Sequence, residues 1–345
     1  MIFASAAVMM AVSCEEQPQI PDTSVKFPAV ERTSYTNPIS TQSLPDPTVI
    51  RGEDGLFYLY ATEDIRNMPI MVSENLIDWV QSGIVFRDNI RPDDVAGAMF
   101  WAPDITKQGD KYILYYSIAP SDFATNQWTW GVGATVADNP AGPWKDAGKV
   151  FLGGEVGVRC SIDPFYVESK GNKYMVWGSF FGIWAVKLSE DGLSVKPNAE
   201  KVRLMGLDGY SAEAAMVYQK DGYYYLFTSI GGAGYSDNYQ LGVVRSKDFL
   251  GPYVNKNGEN ATEGAGVHVI MKSNDKFQSP GHCSGIITDD NGTDWILYHS
   301  YVKEEADAGR RLMLDKITWG ADGWPVINGG NGPTEFAEEV PVFMN

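Results

Sequence analysis

Three carboxylates and one imidazole hold equivalent places in a repeated pattern. Each precedes an apolar run, a glycine-bearing turn and an aromatic strand. Counting back from the first aromatic of that strand, Tyr174 leads eleven residues back to Asp163, and Tyr224 eleven back to Glu213. Tyr58 leads twelve back to Asp46, Tyr112 eleven back to Trp101, and Trp295 thirteen back to His282. Where such mouths converge, Asp, Trp, Asp, Glu and His surround one axis. Confining three carboxylates is costly, because like charges repel and burial penalises each of them further. Asp before Pro is a common turn former, which gives Asp46 and Asp163 a structural alternative. Glu213, in "SAEAAM", has no such explanation, since Glu gains nothing from preceding a strand. The set suits cleavage of a glycosidic bond. One carboxylic acid protonates the leaving oxygen and one carboxylate serves the other face of the sugar. A third carboxylate keeps the proton on the acid at neutral pH. Trp101 offers an apolar face to a sugar ring, or equally a surface for packing between repeats.

Five segments must position these residues. They begin "DPTVIRGEDGLFYLYATE", "WAPDITKQGDKYILYYS", "SIDPFYVESKGNKYMVWGS", "EAAMVYQKDGYYYLFTS" and "HCSGIITDDNGTDWILYHS". The turns carry Glu-Asp-Gly, Gln-Gly-Asp, Lys-Gly-Asn, Lys-Asp-Gly and Asn-Gly-Thr, and so supply the positive φ of tight hairpins. A third strand follows each hairpin, and a fourth is expected near Trp79, Trp144, Ser194, Tyr253 and Trp324. Five units of four short strands predict an all-β, five-bladed β-propeller with its active site in the central funnel. A β-sandwich is the alternative, but it gives no reason for so regular a repeat.

The net charge of −17 argues against nucleic acid and polyanionic ligands and is compatible with a neutral sugar. The start, "MIFASAAVMMAVSCEEQPQ", is apolar from Ile2 to Ser13 and too short to span a bilayer as a helix. It resembles a bacterial lipoprotein signal without the usual preceding Lys or Arg. Residues 1–14 are thus expected to be a signal segment with Cys14 lipidated, 15–40 a flexible tether, and 41–345 the propeller. That predicts an exported lipoprotein at the cell surface or in the periplasm, a monomer touching membrane only through its anchor. Cys160 and Cys283 are either a disulfide or two buried thiols.

Six motifs, "LPDPTVI" (44–50), "WAPDI" (101–105), "SIDPF" (161–165), "SAEAAM" (211–216), "SPGHCS" (279–284) and "WGADGWP" (319–325), stand in one order. The ordered set resembles glycoside hydrolase family 43, the five-bladed arabinanases, arabinofuranosidases and β-xylosidases, over roughly residues 44–330. The resemblance implies an inverting hydrolase, with Asp46 the general base, Glu213 the general acid, and Asp163 orienting Glu213 and raising its pKa. An inverting pair stands roughly 6.5–9.5 Å apart. His282 matches a histidine beside an axial ion or water. It implies an optional structural calcium or sodium there, with no cofactor needed for the chemistry. In "GRRLMLDKITW" one arginine would hold a terminal sugar. Alternation lets only Arg310 or Arg311 face the channel, and Arg310 is the choice. His299 and His268 are expected to be structural or supporting. "VVRSKDFLGPYVNKNG" and "SPGH" favour the arabinan-cleaving branch, while the double arginine points to exo-acting xylosidases and arabinofuranosidases. Retaining fructosidases also use Asp, Asp and Glu, but their Arg-Asp-Pro and Glu-Cys are absent, since Ile162 precedes Asp163 and Ala214 follows Glu213. A catalytically dead sugar-binding propeller would be expected to lack a carboxylate, and none is lost.

Overall fold

The computed structural model describes residues 26–27, 32–87, 91–92, 99–119, 126–232, 234–283 and 285–344. The signal segment, Cys14 and the tether as far as residue 25 lie outside the described residues. No helix among the described residues is long and apolar enough to cross a membrane.

Five antiparallel sheets follow one another along the chain as the blades of a propeller. Blade 1 comprises Thr48–Arg51, Phe57–Tyr60, Pro69–Ser73 and Val80–Ile84. Blade 2 comprises Met99–Gln108, Lys111–Ala119, Gly131–Ala137 and Lys145–Leu152. Blade 3 comprises Phe165–Ser169, Asn172–Trp177, Ile183–Lys187 and Val202–Met205. Blade 4 comprises Ala212–Lys220, Tyr223–Ile230, Gln240–Ser246 and His268–Met271. In blade 5 the innermost strand is split into Phe277–Gly281 and Ile286–Thr288, followed by Asp294–Val302, Arg311–Trp319 and Pro325–Ile327.

The second strands read as continuous apolar runs because each serves two neighbours. Side chains of a strand alternate between its faces. In blade 2, Tyr112, Leu114 and Tyr116 pack toward blade 1, while Ile113 and Tyr115 pack toward blade 3. In blade 5, Trp295 and Leu297 face blade 1 while Ile296 and Tyr298 face blade 4. The core is accordingly a ring of wedges, one between each pair of adjacent blades.

Two expected fourth strands lie elsewhere. Near Ser194 there is only a bridge from Val195 to Leu188, and near Tyr253 only the bridges of Val254. The outer strands are Val202–Met205 and His268–Met271. In blade 4 the cause is local. Asn255 Oδ1 accepts from the backbone N–H groups of Asn257 and Glu259, closing a turn where a strand would have run.

The tether boundary also moves. Residues 34–44 close the ring. The outer strand of blade 5 is short and covers only the Ile317–Trp319 end of its neighbour. Residues 37–44 take the uncovered end: Ile39 N–H donates to Leu312 O, Leu44 N–H to Arg310 O, and Ser43 bridges Arg311. Ser34–Tyr35 pair with Glu338–Glu339. Tyr35 is buried and donates its hydroxyl to Leu314 O. Asn37, also buried, donates to Leu314 O at 2.9 Å and accepts from Leu314 N at 2.9 Å. Asn37→Ala strips Leu314 N–H of its side-chain acceptor, while Leu314 O keeps the Tyr35 hydroxyl. It is expected to lower stability by about 1–3 kcal/mol, the scale for one buried polar group left without a partner. Denaturant titration, with the slope unchanged, checks it.

Candidate active site

The mouth of each innermost strand carries a residue in the left-handed region: Asp46 (φ 52°), Ala102 (37°), Asp163 (58°), Ala214 (58°) and His282 (48°). Non-glycine residues rarely adopt it, and such strain gathers at functional sites. Register shifts in blades 2 and 4 span the kink, and one in blade 5 falls just before it, between Gln278 and Gly281. A bulge re-aims the side chains beside it. By this register Ala102 and Ala214, not Trp101 and Glu213, are the true equivalents of Asp46. Trp101 and Glu213 stand one residue earlier in their blades, a shift that counting from the aromatic could not resolve.

Each kinked residue offers a buried N–H that needs an acceptor, and a neighbouring blade supplies it. Thr62 Oγ1 accepts from Ala102, Ser117 Oγ from Asp163, Ser229 Oγ from His282, and His299 Nδ1 from Asp46, at 2.8–3.0 Å. These acceptors close the second strands of blades 1, 2, 4 and 5. Blade 3 breaks the pattern. Its counterpart, Ser179, donates instead to Glu213 Oε2 at 3.0 Å, and Ala214 N–H turns to Asp163 Oδ2 at 3.1 Å. The departure from ring symmetry thus falls between the two carboxylates.

Asp46 is buried, with the densest set of partners. Arg310 Nη1 donates to Oδ1 at 2.7 Å, His282 Nδ1 stands 3.1 Å from the same oxygen, and Thr62 Oγ1 donates to Oδ2 at 2.5 Å. Burial opposes its ionisation, but Arg310, then His282, outweigh burial and hold the carboxyl well below the usual range. His299 Nδ1 lies 3.0 Å from Asp46 N and 3.2 Å from its Oδ1. One nitrogen serves one of these. Burial, with Arg310 adding to it, lowers His299 to about 4, so the ring is neutral and Nδ1 accepts the backbone N–H. His282 moves the other way: burial lowers it, but Asp46 above all, with Asp163 and Glu213, raises it overall. His282 therefore feels the charge of all three carboxylates while touching Asp46.

Asp163 is pushed up to about 7, by burial first, with the charges of Glu213 and Asp46 adding to it and His282 opposing. Its folded-state pKa lies above that of the unfolded chain, so the folded protein binds more protons between about pH 4 and 7 and loses stability as pH rises through that window. Asp163→Asn keeps an acceptor for Ala214 N–H and removes the charge. It is expected to raise the melting temperature by about 3–6 °C at pH 8 and by less at pH 5. Calorimetry at the two pH values checks it.

Of the remaining sequence candidates, Trp101 is half-buried and meets Trp130 edge-on, ring centroids 5.9 Å apart, beside Cys160 and Ile162. Arg310 is the arginine that pairs with Asp46, while Arg311 pairs with Glu305. His268 sits on the outer strand of blade 4 against Trp324. Cys160 and Cys283 are both free and buried in different parts of the core, which removes the disulfide alternative. Among the described residues no group of three or more His, Cys, Asp or Glu is spaced to hold a metal ion. His282 spends Nδ1 on Asp46, leaving Nε2 as its one nitrogen for an ion, so the residues present do not form a protein cage for one.

Sequence reasoning missed Thr62, Ser117, Ser179, Ser229 and Tyr239, and gave His299 only a supporting part. All but Tyr239 carried a signal. They close "YAT", "YYS", "WGS", "FTS" and "LYH", at the same point of each repeat. Tyr239, whose hydroxyl donates to Glu213 Oε1 at 2.9 Å, is the last residue of the segment between the second and third strands of blade 4.

Comparison with known proteins places this geometry. The chain is 28% identical over 302 residues to an extracellular endo-α-(1→5)-L-arabinanase of Bacillus subtilis, covering 83% of this chain and 88% of that one. It is 30% identical over 307 residues to an extracellular exo-α-(1→5)-L-arabinofuranosidase of Cellvibrio japonicus, covering 82% and 86%. The solved structure of a Cellvibrio cellulosa α-L-arabinanase complexed with arabinohexaose superposes with a TM-score of 0.72 at 27% identity, over 83% of this chain and 95% of that one. Residues 35–325 match the family model described as glycosyl hydrolases family 43, and this five-bladed chain belongs to that family of glycoside hydrolases.

Proposed function

We propose that the protein is an inverting hydrolase of α-1,5-linked arabinan. Glu213 protonates the leaving oxygen, Asp46 takes a proton from the attacking water, and Asp163 orients Glu213 through Ala214 N–H. The observation that carries the reading is the contrast within one funnel. Asp46 is held ionised by Arg310 and His282, as a base must be, while the hydroxyls that donate to the Glu213 carboxyl, those of Ser179 and Tyr239, are neutral. The two rise from blades 1 and 4, which are not adjacent, and this supports room for a water between them. Trp101 would stack on a sugar ring. Arg310 serves the charge of Asp46 through Nη1, and its other N–H groups would meet a terminal sugar hydroxyl.

The arabinan-cleaving relatives, endo and exo alike, support the substrate, and their description as extracellular supports export. A lipid anchor at Cys14 and a monomeric state complete the proposal. An axial calcium or sodium ion would have His282 Nε2 and water as ligands, and the proposed chemistry needs none. The test is parallel hydrolysis of linear α-1,5-arabinan, an aryl α-L-arabinofuranoside and an aryl β-D-xyloside, with product length and first-formed anomer read by NMR. Arabinan products released as the β anomer support the reading. Retained configuration overturns inversion, xyloside cleavage alone moves the enzyme to exo-xylosidase, and inactivity throughout favours a sugar-binding propeller.

A further inference from the structure

The carboxyl of Glu213 is gripped at both oxygens, but the two grips differ. Ser179 Oγ meets Oε2 at 3.0 Å, and the Tyr239 phenol donates to Oε1 at 2.9 Å. Ser179 is a rotor that can donate or accept. Tyr239 is fixed. It is buried, its ring lies parallel to that of His299 with centroids 6.1 Å apart, and the backbone passes close by: a Cβ on Gly281 would stand 2.5 Å from Tyr239 Cε1. The same Cβ would stand 2.6 Å from Ser229 Oγ, which accepts His282 N–H at 2.8 Å. His299, beside the Tyr239 ring, accepts the N–H of Asp46.

We propose that Tyr239 is the positioning residue of the acid, holding Oε1 as a fixed acceptor so that the proton delivered to the leaving oxygen resides on Oε2. This rests on Glu213 being the acid. The packed Tyr239 ring directs its hydroxyl hydrogen at Oε1, and a proton on that oxygen would compete with it. Ser179 can turn to accept from a protonated Oε2 and release it as the leaving oxygen approaches. The arrangement also ties the acid to the wall beside Asp46, so the two carboxyl groups are aligned by one packed unit.

The test is Tyr239→Phe, assayed on linear arabinan and on aryl α-arabinosides of graded leaving-group acidity, beside Glu213→Gln. The expected kcat/KM loss is about 10–100-fold on arabinan and under about 3-fold on a dinitrophenyl arabinoside, the scale of lost alignment of a catalytic group. The slope of log kcat/KM against leaving-group pKa should steepen. An equal loss across the series makes Tyr239 merely structural, and no loss makes it irrelevant. Either overturns the inference. Should Tyr239→Phe not fold, Gly281→Ala, which pushes the ring off Oε1, must give the same slope change. If Glu213→Gln itself shows no leaving-group selectivity, the acid assignment fails. If Glu213→Gln is selective and Tyr239→Phe is flat, only the Tyr239 inference fails.

Discussion

Glu213→Gln is expected to lower kcat/KM on arabinan by about 10²–10⁴-fold, the usual contribution of a positioned general acid, while leaving a dinitrophenyl arabinoside within about 10-fold of wild type. A sugar alkoxide leaves poorly without a proton. A dinitrophenolate leaves readily, and removing the acid costs it little. Gln keeps the oxygen that Tyr239 addresses and replaces the other with an amide, so Ser179 can meet it as an acceptor. The fold is therefore expected to persist, with a melting temperature within a few degrees of wild type. A uniform loss across all leaving groups would mean that Glu213 does something other than deliver a proton.

The sequence made the propeller legible because its signals repeat. A tight turn, an apolar second strand and a charged or aromatic mouth recur five times, and a ring is the arrangement that brings equivalent mouths together. Asp46, Asp163 and His282 stood out for the same reason. What could not be read was whatever breaks the repeat. The count found Glu213 but not its one-residue offset from the kink, nor its partner Tyr239 at the end of the segment before the third strand of blade 4. The outer strands of blades 3 and 4 were displaced by locally closed turns that period-two patterning does not register. Residues 34–40 read as linker because their composition is polar. Their place is set by an unpaired strand end about 270 residues away, a long-range vacancy that local patterning does not encode.

Asp46 makes the sharper case, because its loss affects chemistry and stability together. Asp46→Asn is expected to lower kcat/KM by about 10³-fold or more on every substrate, activated or not. The attacking water needs a base whatever the leaving group is, and an amide cannot take its proton. The same change removes the counter-charge of Arg310, itself largely buried, and of His282. Breaking a buried pair from one side typically costs about 3–5 kcal/mol, so the melting temperature should fall at pH 7. The sign follows from the lowered carboxyl: the wild-type stabilisation is present above the unfolded value near 4 and lost as pH drops through the folded one. The gap between wild type and variant should therefore narrow in acid. Activity measured well below the variant's melting temperature separates the two losses. Asp46→Ala adds a positive readout. Azide, entering the vacated space, can attack the anomeric carbon while Glu213 protonates the leaving oxygen. Nitrogen–carbon bond formation then accompanies cleavage, and the product is a glycosyl azide of inverted configuration. Recovery of that azide would place Asp46 on the water's side of the sugar. Full activity in Asp46→Asn would remove it from the mechanism and leave its contacts with Arg310 and His282 as structure alone.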